Sequence, residues 1–555
     1  MSGAPGLTQP TSQSRDVGHP VKCGLARVLA VVLVCLTAGL SLAWSHSKLM
    51  SQDEMYEFQT DSVRSLAELV HVQKTWPISL DPLLYHALSH GAMQVFGVGA
   101  FAQRLPALVG FLGMEVCLFF LVREMAGERA GCLAAGFPAL TAALFYSAEG
   151  RPYGLMLGLY AAALLCWQGA ARKPTSQNRD PSASPGQAMG HPDLGRQAGR
   201  GWWLAGLAVA LAATINAHYF GVLLLVPICA AEGYRTLQRR RVDWPMWTAI
   251  GVGMAGFLGT VPFLKGAGEF KKNYYNGGTV GMHDITRAYR TIFVDYTQMG
   301  MAAQHLWMVG LVGFAVGLVW GCWWVSRRGE VRLLGAEWVL LGVLAGLPFF
   351  GYLMARFVTH SIEVRYVLGA GVAISAMVGV AVGPRLRRDG VFAAAMVVLG
   401  VAIVGAGAVR IQAEQRKTAE RLASLVLPDG VKAALAASAD GRLYVQDMGA
   451  FEEDRYYEPV AEVRARMTLV YSAAEELRWN RHDTMALTAT HMQHFAGVPV
   501  VSYEALRARP GEHIFVLFHT GWDWTDEAFA EDGAKVRGVG GALGGDVAAV
   551  RFPGE

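Results

Sequence analysis

The sequence predicts a mainly α, polytopic membrane protein with a small α/β domain at its C-terminal end. Three observations predict this class. Apolar runs of membrane-spanning length recur from residue 25 to residue 410. Lys and Arg collect in every second connection between those runs, the pattern that orients helices across a bilayer. After residue 410 the pattern changes to short β-prone runs such as "GRLYVQDM", "MTLVYSA" and "HIFVLFH", separated by helix-like stretches.

Composition agrees. Of 555 residues, 53% are hydrophobic and 17% charged, with 65 Gly and 15 Trp. The charged share lies below the roughly 25% of soluble domains. Gly permits close helix packing in lipid, and Trp anchors helices at the interface. The lipid bilayer is therefore an expected partner. Net charge is only +4. With no arginine-rich arm and no zinc-finger spacing, no nucleic-acid partner is expected. The last of the seven Cys is Cys322, so no disulfide scaffold is expected in the C-terminal domain.

The elements follow in order. Residues 1–24 read as a cytoplasmic tail. The first run, "VKCGLARVLAVVLVCLTAGLSLAWSHSK", reads as a retained helix, because it is as long as a span and no A-x-A cleavage site follows. Further runs lie at 106–122, 130–147, 153–168, 202–216, 219–234, 246–264, 305–325, 333–354, 366–382 and 390–409. With the first they predict about eleven transmembrane helices within a membrane domain at 25–410. Residues 83–97, with His86 and His90 four apart, read as a helix along the interface. Residues 170–200 read as a disordered cytoplasmic linker. Residues 411–555 form the predicted extracytoplasmic α/β domain. The outer loop 265–304 carries Lys265, Lys271, Lys272, Arg287 and Arg290 against the charge bias, which points to an anionic ligand.

The polar residues of the outer connections are the candidate site. Asp53 and Glu54 follow the first span, where a charge near lipid is expensive unless satisfied or used. Asp81 precedes Pro82 as an N-cap, with Tyr85 in the helix that follows. Arg104 reads as a substrate-binding residue or as an interface anchor. Glu149 and Arg151 share a tight connection, where they neutralise one another or where Glu149 supplies a second carboxylate beside Asp53. His218 and Tyr219 share another; a His there is a metal ligand or a satisfied helix end. Lys265, Tyr274 and Tyr275 belong to the basic outer loop. Arg365 and Tyr366 open a late span, and the Arg fork suits phosphate oxygens.

Carboxylates and cations at a lipid–water boundary suit transfer from a lipid-linked phosphate donor. A carboxylate deprotonates an acceptor hydroxyl while cations or a metal hold the leaving phosphate. No Walker or Gly-rich nucleotide loop is present, and a donor already in the membrane needs none. No cofactor is firmly expected. A divalent cation is left open, with Glu149 and His218 as an O,N pair for Zn²⁺ or Mn²⁺. The rival reading is a transporter or flippase for a lipid-linked anionic substrate, but polar groups on one face without an internal repeat favour chemistry over alternating access.

The residues "DE" after the first span, "DPLLYHAL…FGVGAFAQRLPALVG", "SAEGRPYGLMLGLYA", "NAHYFG" and "VRYVLG" together resemble the GT-C glycosyltransferases of the protein O-mannosyltransferase, aminoarabinose-transferase and lipopolysaccharide-core transferase type. The resemblance spans residues 25–380. It implies a GT-C fold and a polyprenyl-phosphate sugar as donor, with inversion at the anomeric carbon. The implied acceptor is an envelope glycolipid, glycan or protein at the outer face of the cell inner membrane. It also implies roles for residues. Asp53 is the base or orients the acceptor, with Glu54 beside it. Glu149, Arg151 and Tyr153 inherit a site role from "AEGRPY", and His218 and Tyr219 from "AHY". Arg365 and Tyr366 lie near the donor phosphate. In "LDPLLYH" the family's leading His is replaced by Asp81 and its first Pro is absent in register.

Overall fold

The computed structural model describes residues 22–172, 194–272, 280–293, 301–360, 362–519 and 523–553. Tyr274, Tyr275 and most of the expected linker lie outside the described residues. The chain is a multi-pass membrane protein. It opens with α1 (Lys22–Ser47), α2 (Gln52–Asp61), α3 (Leu66–Thr75), α4 (Leu83–Phe96), α5 (Ala100–Ala126), α6 (Glu128–Gly136), α7 (Tyr153–Arg172) and α8 (Leu194–Ala217).

Among the described residues seven helices are long and apolar enough to cross a membrane, or eight if one bent pair counts as a single span. The expected count of about eleven is therefore too high, and local chemistry explains the difference. The 130–147 run breaks after α6 into two short 3₁₀ segments, Phe137–Leu140 and Ala142–Ser147. Pro138 lacks the N–H an α-helix needs, and the Thr141 hydroxyl caps a new start by accepting from the Ala143 N–H at 3.2 Å. The 333–354 run bends by 53° between Gly335–Ala345 and Leu347–Thr359, where Gly346 and Pro348 interrupt it. The 366–382 run is a shorter apolar helix, Gly369–Arg385. The 202–216 run lies in α8, flanked by Arg200 and Asn216.

Glycines set how closely the bundle packs. A Cβ on Gly110 of α5 would sit 2.3 Å from the Leu155 Cα, and one on Gly158 of α7 would sit 2.3 Å from the Gly110 carbonyl oxygen. The two backbones touch, as small residues allow in membranes. The opposite extreme is the helix Ala303–Arg327, where Leu306, Val309, Val312, Val316 and Val319 are exposed. That face is apolar because its neighbour is lipid.

The helix Asp389–Ser424 packs along α1 and continues unbroken past residue 410 into polar sequence. Beyond it lies a six-stranded sheet of β1 (Leu443–Val445), β2 (Met467–Tyr471), β3 (Val500–Ser502), β4 (Glu512–Leu517), β5 (Lys535–Ala542) and β6 (Gly545–Arg551). The order is β3-β2-β1-β4-β6-β5. β1 to β4 pair in parallel, and β6 pairs antiparallel with both β4 and β5. Leu443, Val445, Ile514 and Val516 fill one side while Tyr444, Val470 and Phe515 fill the other, as a sheet covered on both faces requires.

This unit is tied to the bundle by polar contacts. The Met50 N–H donates to the Tyr457 hydroxyl at 3.0 Å. The Thr418 hydroxyl donates to the Ser47 carbonyl at 2.9 Å. His491 Nδ1 donates to the Pro77 carbonyl at 2.8 Å. These place the helix Thr484–Ala496 against the loop that precedes α4.

Candidate functional site

A cavity of about 500 Å³ opens at one end of the bundle. Its wall residues sit at span ends: Arg151 and Tyr153 start α7, His218 and Tyr219 start the span Tyr219–Arg239, Phe270 ends Trp244–Phe270, and Thr359 ends the bent pair. α2 supplies Asp53, Tyr56 and Glu57, and the loop before α4 supplies Ser79 and Asp81. Thr484, Met485 and Thr488 of the C-terminal domain complete the wall.

α2 begins with a capping box. Ser51 accepts from the Glu54 N–H at 3.3 Å, and the Glu54 carboxylate reaches back to the Ser51 N–H at 3.0 Å. This satisfies two orphan donors of the first turn and turns Asp53 and Glu54 to different sides. Glu54 points inward and is fully buried. Its Oε1 accepts from Arg104 Nε at 2.7 Å and the Gly150 N–H at 2.6 Å. Its Oε2 accepts from Lys48 at 2.7 Å and Arg104 Nη2 at 3.0 Å. Burial alone would raise its pKa, but Arg104 and Lys48 outweigh that and hold it at about 2.

Lys48 also pairs with Glu149, whose other oxygen accepts from the Ser51 hydroxyl at 2.8 Å. Burial and then the Glu54 charge push the Glu149 carboxyl up. The sequence reading put Glu54, Glu149, Arg104 and Tyr85 at the substrate. None of the four lines the cavity. The first three are joined through Glu54 and Lys48, and the Tyr85 hydroxyl donates to the Gln103 carbonyl at 2.9 Å.

Asp53 faces the cavity, its side chain 40% exposed. It pairs with Arg151 and lies 3.5 Å from Arg365 Nη1. Arg151 therefore turns away from its sequence neighbour Glu149. Both guanidiniums sit over aromatic rings. Arg151 lies 5.1 Å from the Tyr153 centroid, and Arg365 lies 6.0 Å from Tyr153 and 5.7 Å from Tyr366. Cation–π contact holds such groups in place. Lys265, of the basic outer loop expected at an anionic ligand, is exposed and does not line the cavity. Its neighbours Leu264 and Ala267 do, so the second cation beside Arg365 is Arg151.

His218 Nδ1 accepts from the Phe220 N–H at 3.1 Å. The proton is thereby assigned to Nε2, which faces Asp81 Oδ1 at 3.3 Å. Burial lowers its pKa to about 4, so the ring is neutral. Tyr366 stacks on Phe220 at 4.2 Å. Tyr219 joins the wall, and the buried Tyr153 hydroxyl has no hydrogen-bond partner.

The expected O,N metal pair is taken apart by these contacts, since Glu149 goes to Lys48 and Ser51 while His218 goes to Asp81. Among the described residues, the groups of three or more ligands close enough for a metal are Glu57–Asp61–His86 and His519–Asp523–Asp526. Sequence reasoning missed Lys48, Glu57 and Asp61. The signal was there: Glu57 and Asp61 are four apart on a helix, and so share a face.

No protein-family model matches the chain, and no curated protein matches it in sequence. Among solved structures it is similar to ArnT from Cupriavidus metallidurans bound to undecaprenyl phosphate, with 14% identity over 96% of this chain and 98% of that one, at a TM-score of 0.54. The apo state of the same protein aligns at 14% identity and a TM-score of 0.42, covering 95% of this chain and 98% of that one. The oligosaccharyltransferase AglB from Archaeoglobus fulgidus aligns at 11% identity and 0.45, covering 85% of this chain and 64% of that one. Only the first is close enough to support an argument. At that identity it establishes a shared fold, the mainly α GT-C-type membrane fold, and nothing finer.

Proposed function

We propose that this protein is an integral membrane glycosyltransferase that moves a sugar from a polyprenyl-phosphate donor to an envelope glycolipid, glycan or protein acceptor. The observation that carries this reading is the convergence of Arg151 and Arg365 on one carboxylate, Asp53, inside a cavity at span ends. Two guanidiniums held by aromatic rings match a phosphate. Asp53 occupies the place that a donor phosphate takes.

The chemistry follows. The donor phosphate takes over the two Arg groups and releases Asp53. The freed carboxylate accepts the proton of an acceptor hydroxyl as that oxygen bonds to the anomeric carbon. The bond from that carbon to the phosphate oxygen breaks, and its electron pair leaves with the phosphate. Arg151 and Arg365 stabilise the charge that grows there. Attack opposite the leaving group inverts the anomeric centre of the transferred hexosyl or pentosyl unit. His218, neutral, and its partner Asp81 act as acceptor-positioning groups in the same wall, beside Tyr153 and Tyr366, with Tyr219 and Tyr366 as sugar-stacking surfaces. The protein resides in the cell inner membrane. The N-terminus is cytoplasmic, and the cavity and residues 411–555 are extracytoplasmic, as the Lys and Arg bias supports.

Incubating the purified protein with a panel of polyprenyl-phosphate sugars and membrane glycolipids, with mass readout, tests the reading and names both substrates. Transbilayer movement of the lipid in proteoliposomes, with no sugar transfer from any donor, would instead establish the flippase. Cysteine placed near residue 480 tests the topology: labelling only after spheroplast lysis would put the cavity on the other face.

A further inference from the structure

One polar group in the cavity wall has no part in the transfer step. Glu57 and Asp61 stand on one face of α2, and His86 of α4 packs against both. His86 Nδ1 lies 2.6 Å from Asp61 Oδ1 and 3.1 Å from Glu57 Oε2. One oxygen of each carboxylate and one ring nitrogen lie within 4.8 Å of one another. All three side chains are at most 2% exposed.

The partners of these atoms are uneven. Ser79 Oγ donates to Glu57 Oε1 at 2.7 Å, which fixes that oxygen and leaves Oε2, buried and without a hydrogen bond. Asp61 Oδ2 is also buried without one. Among the described residues, no Lys or Arg forms an ion pair with either carboxylate; their one ion-pair partner is His86. Glu54, three residues before Glu57 on the same helix, has both Arg104 and Lys48. Two buried carboxylates that share a single imidazole as their ion-pair partner are short of positive charge.

We propose that Glu57, Asp61 and His86 hold a divalent transition-metal cation, Zn²⁺ or Mn²⁺, in the wall of the cavity. One imidazole nitrogen with two carboxylate oxygens suits these ions, whereas Mg²⁺ and Ca²⁺ favour oxygen ligands alone. Three protein ligands leave a coordination position open, as in catalytic rather than closed structural zinc sites. Glu57 is the ligand that lines the cavity, so the open position meets whatever oxygen-bearing molecule enters. Ser79 orients the Glu57 carboxylate as outer partners do in metal sites, and the His90 ring, whose Nδ1 donates to the Asp61 backbone carbonyl at 2.9 Å, ties α4 to the end of α2. The site stands on its own geometry and does not require the glycosyltransferase reading.

The test uses the full chain in detergent, stripped with EDTA and titrated separately with Zn²⁺ and Mn²⁺ by calorimetry. Metal retained through gel filtration is then counted. One tight equivalent is expected. Asp61→Asn and His86→Gln should each weaken it at least tenfold, while Asp526→Asn, in the exposed group His519–Asp523–Asp526, should leave it unchanged. A wild-type protein that retains no metal, or variants that bind as wild type does, would overturn the proposal. Should a variant fail to fold, X-ray absorption of zinc in the wild-type protein reads the ligands directly. One imidazole among oxygens is expected, and a shell with sulfur or several imidazoles would exclude this site. Binding of undecaprenyl phosphate by the same preparations reports separately on the donor reading.

Discussion

Asp53 and Glu54 are adjacent in sequence, share one helical turn and carry the same functional group, yet they belong to two different regions. Beneath α2, Glu54, Lys48, Arg104 and Glu149 form a closed network in which both Glu54 oxygens are taken by cationic or backbone donors. Above it, Asp53 is part exposed and shares two guanidiniums with the space of the cavity. The closed region has no capacity to exchange partners, because every move would leave a charge buried and unpaired. The open region can exchange, since a phosphate can replace the carboxylate at both Arg groups without stranding either. On the proposed function, the carboxylate that acts is the one whose partners can exchange, and the fixed network holds it in place.

The largest effect should come from breaking the closed region. Arg104→Met leaves Glu54 buried with a partner lost, and removing one member of such a pair costs about 3–5 kcal/mol. A denaturation series in mild detergent measures it, and a loss below about 1 kcal/mol would show that the network is not closed.

Next comes Asp53→Asn. Transfer should fall by about 100- to 10,000-fold, with an unfolding midpoint close to wild type. Joint loss of stability would move Asp53 into the structural class and erase the contrast. Arg365→Ala should lower kcat by about 100- to 1,000-fold, as loss of a charge-stabilising donor does. Arg365→Lys should fall between, because it keeps the charge and loses the fork. Wild-type kinetics for the Ala form would show that Arg365 only anchors its helix.

Acid sharpens the comparison further. The folded-state pKa of Glu54, about 2, lies below its ordinary 4.5. Its contribution to stability is therefore fully present above about pH 4.5 and is lost as pH falls through about 2. Glu54→Gln should flatten that part of the stability profile. An unchanged acid limb would count against the buried ion pairs. The smallest effect is expected for Lys265→Ala, which touches neither region: donor KM should stay within about twofold, because an exposed charge away from the wall contributes little.

Much of this was legible from residues alone. Asp53, Arg151, His218, Tyr219, Arg365 and Tyr366 stand out because polar residues at span ends are rare in an apolar sequence, the family resemblance adds Tyr153, and the structure brings all seven to one cavity. Spans were overcounted where Pro138 and Pro348 break apolar runs, since hydropathy averages over a window and does not feel one missing N–H. Glu57, Asp61 and His86 were not read as a group, because their partnership depends on how α2 lies against α4.

The sequence by itself determined the class of the protein: membrane helices in series, a terminal α/β unit, and which residues sit at helix ends. Those follow from hydrophobicity and local backbone chemistry, which act over a few residues. Tertiary structure alone decided which carboxylate is sealed in a buried network and which faces the cavity. Charge pairing acts through space over a few ångströms, so that Lys48 and Arg104 fix Glu54 while Arg151, from a different connection, reaches the residue beside it.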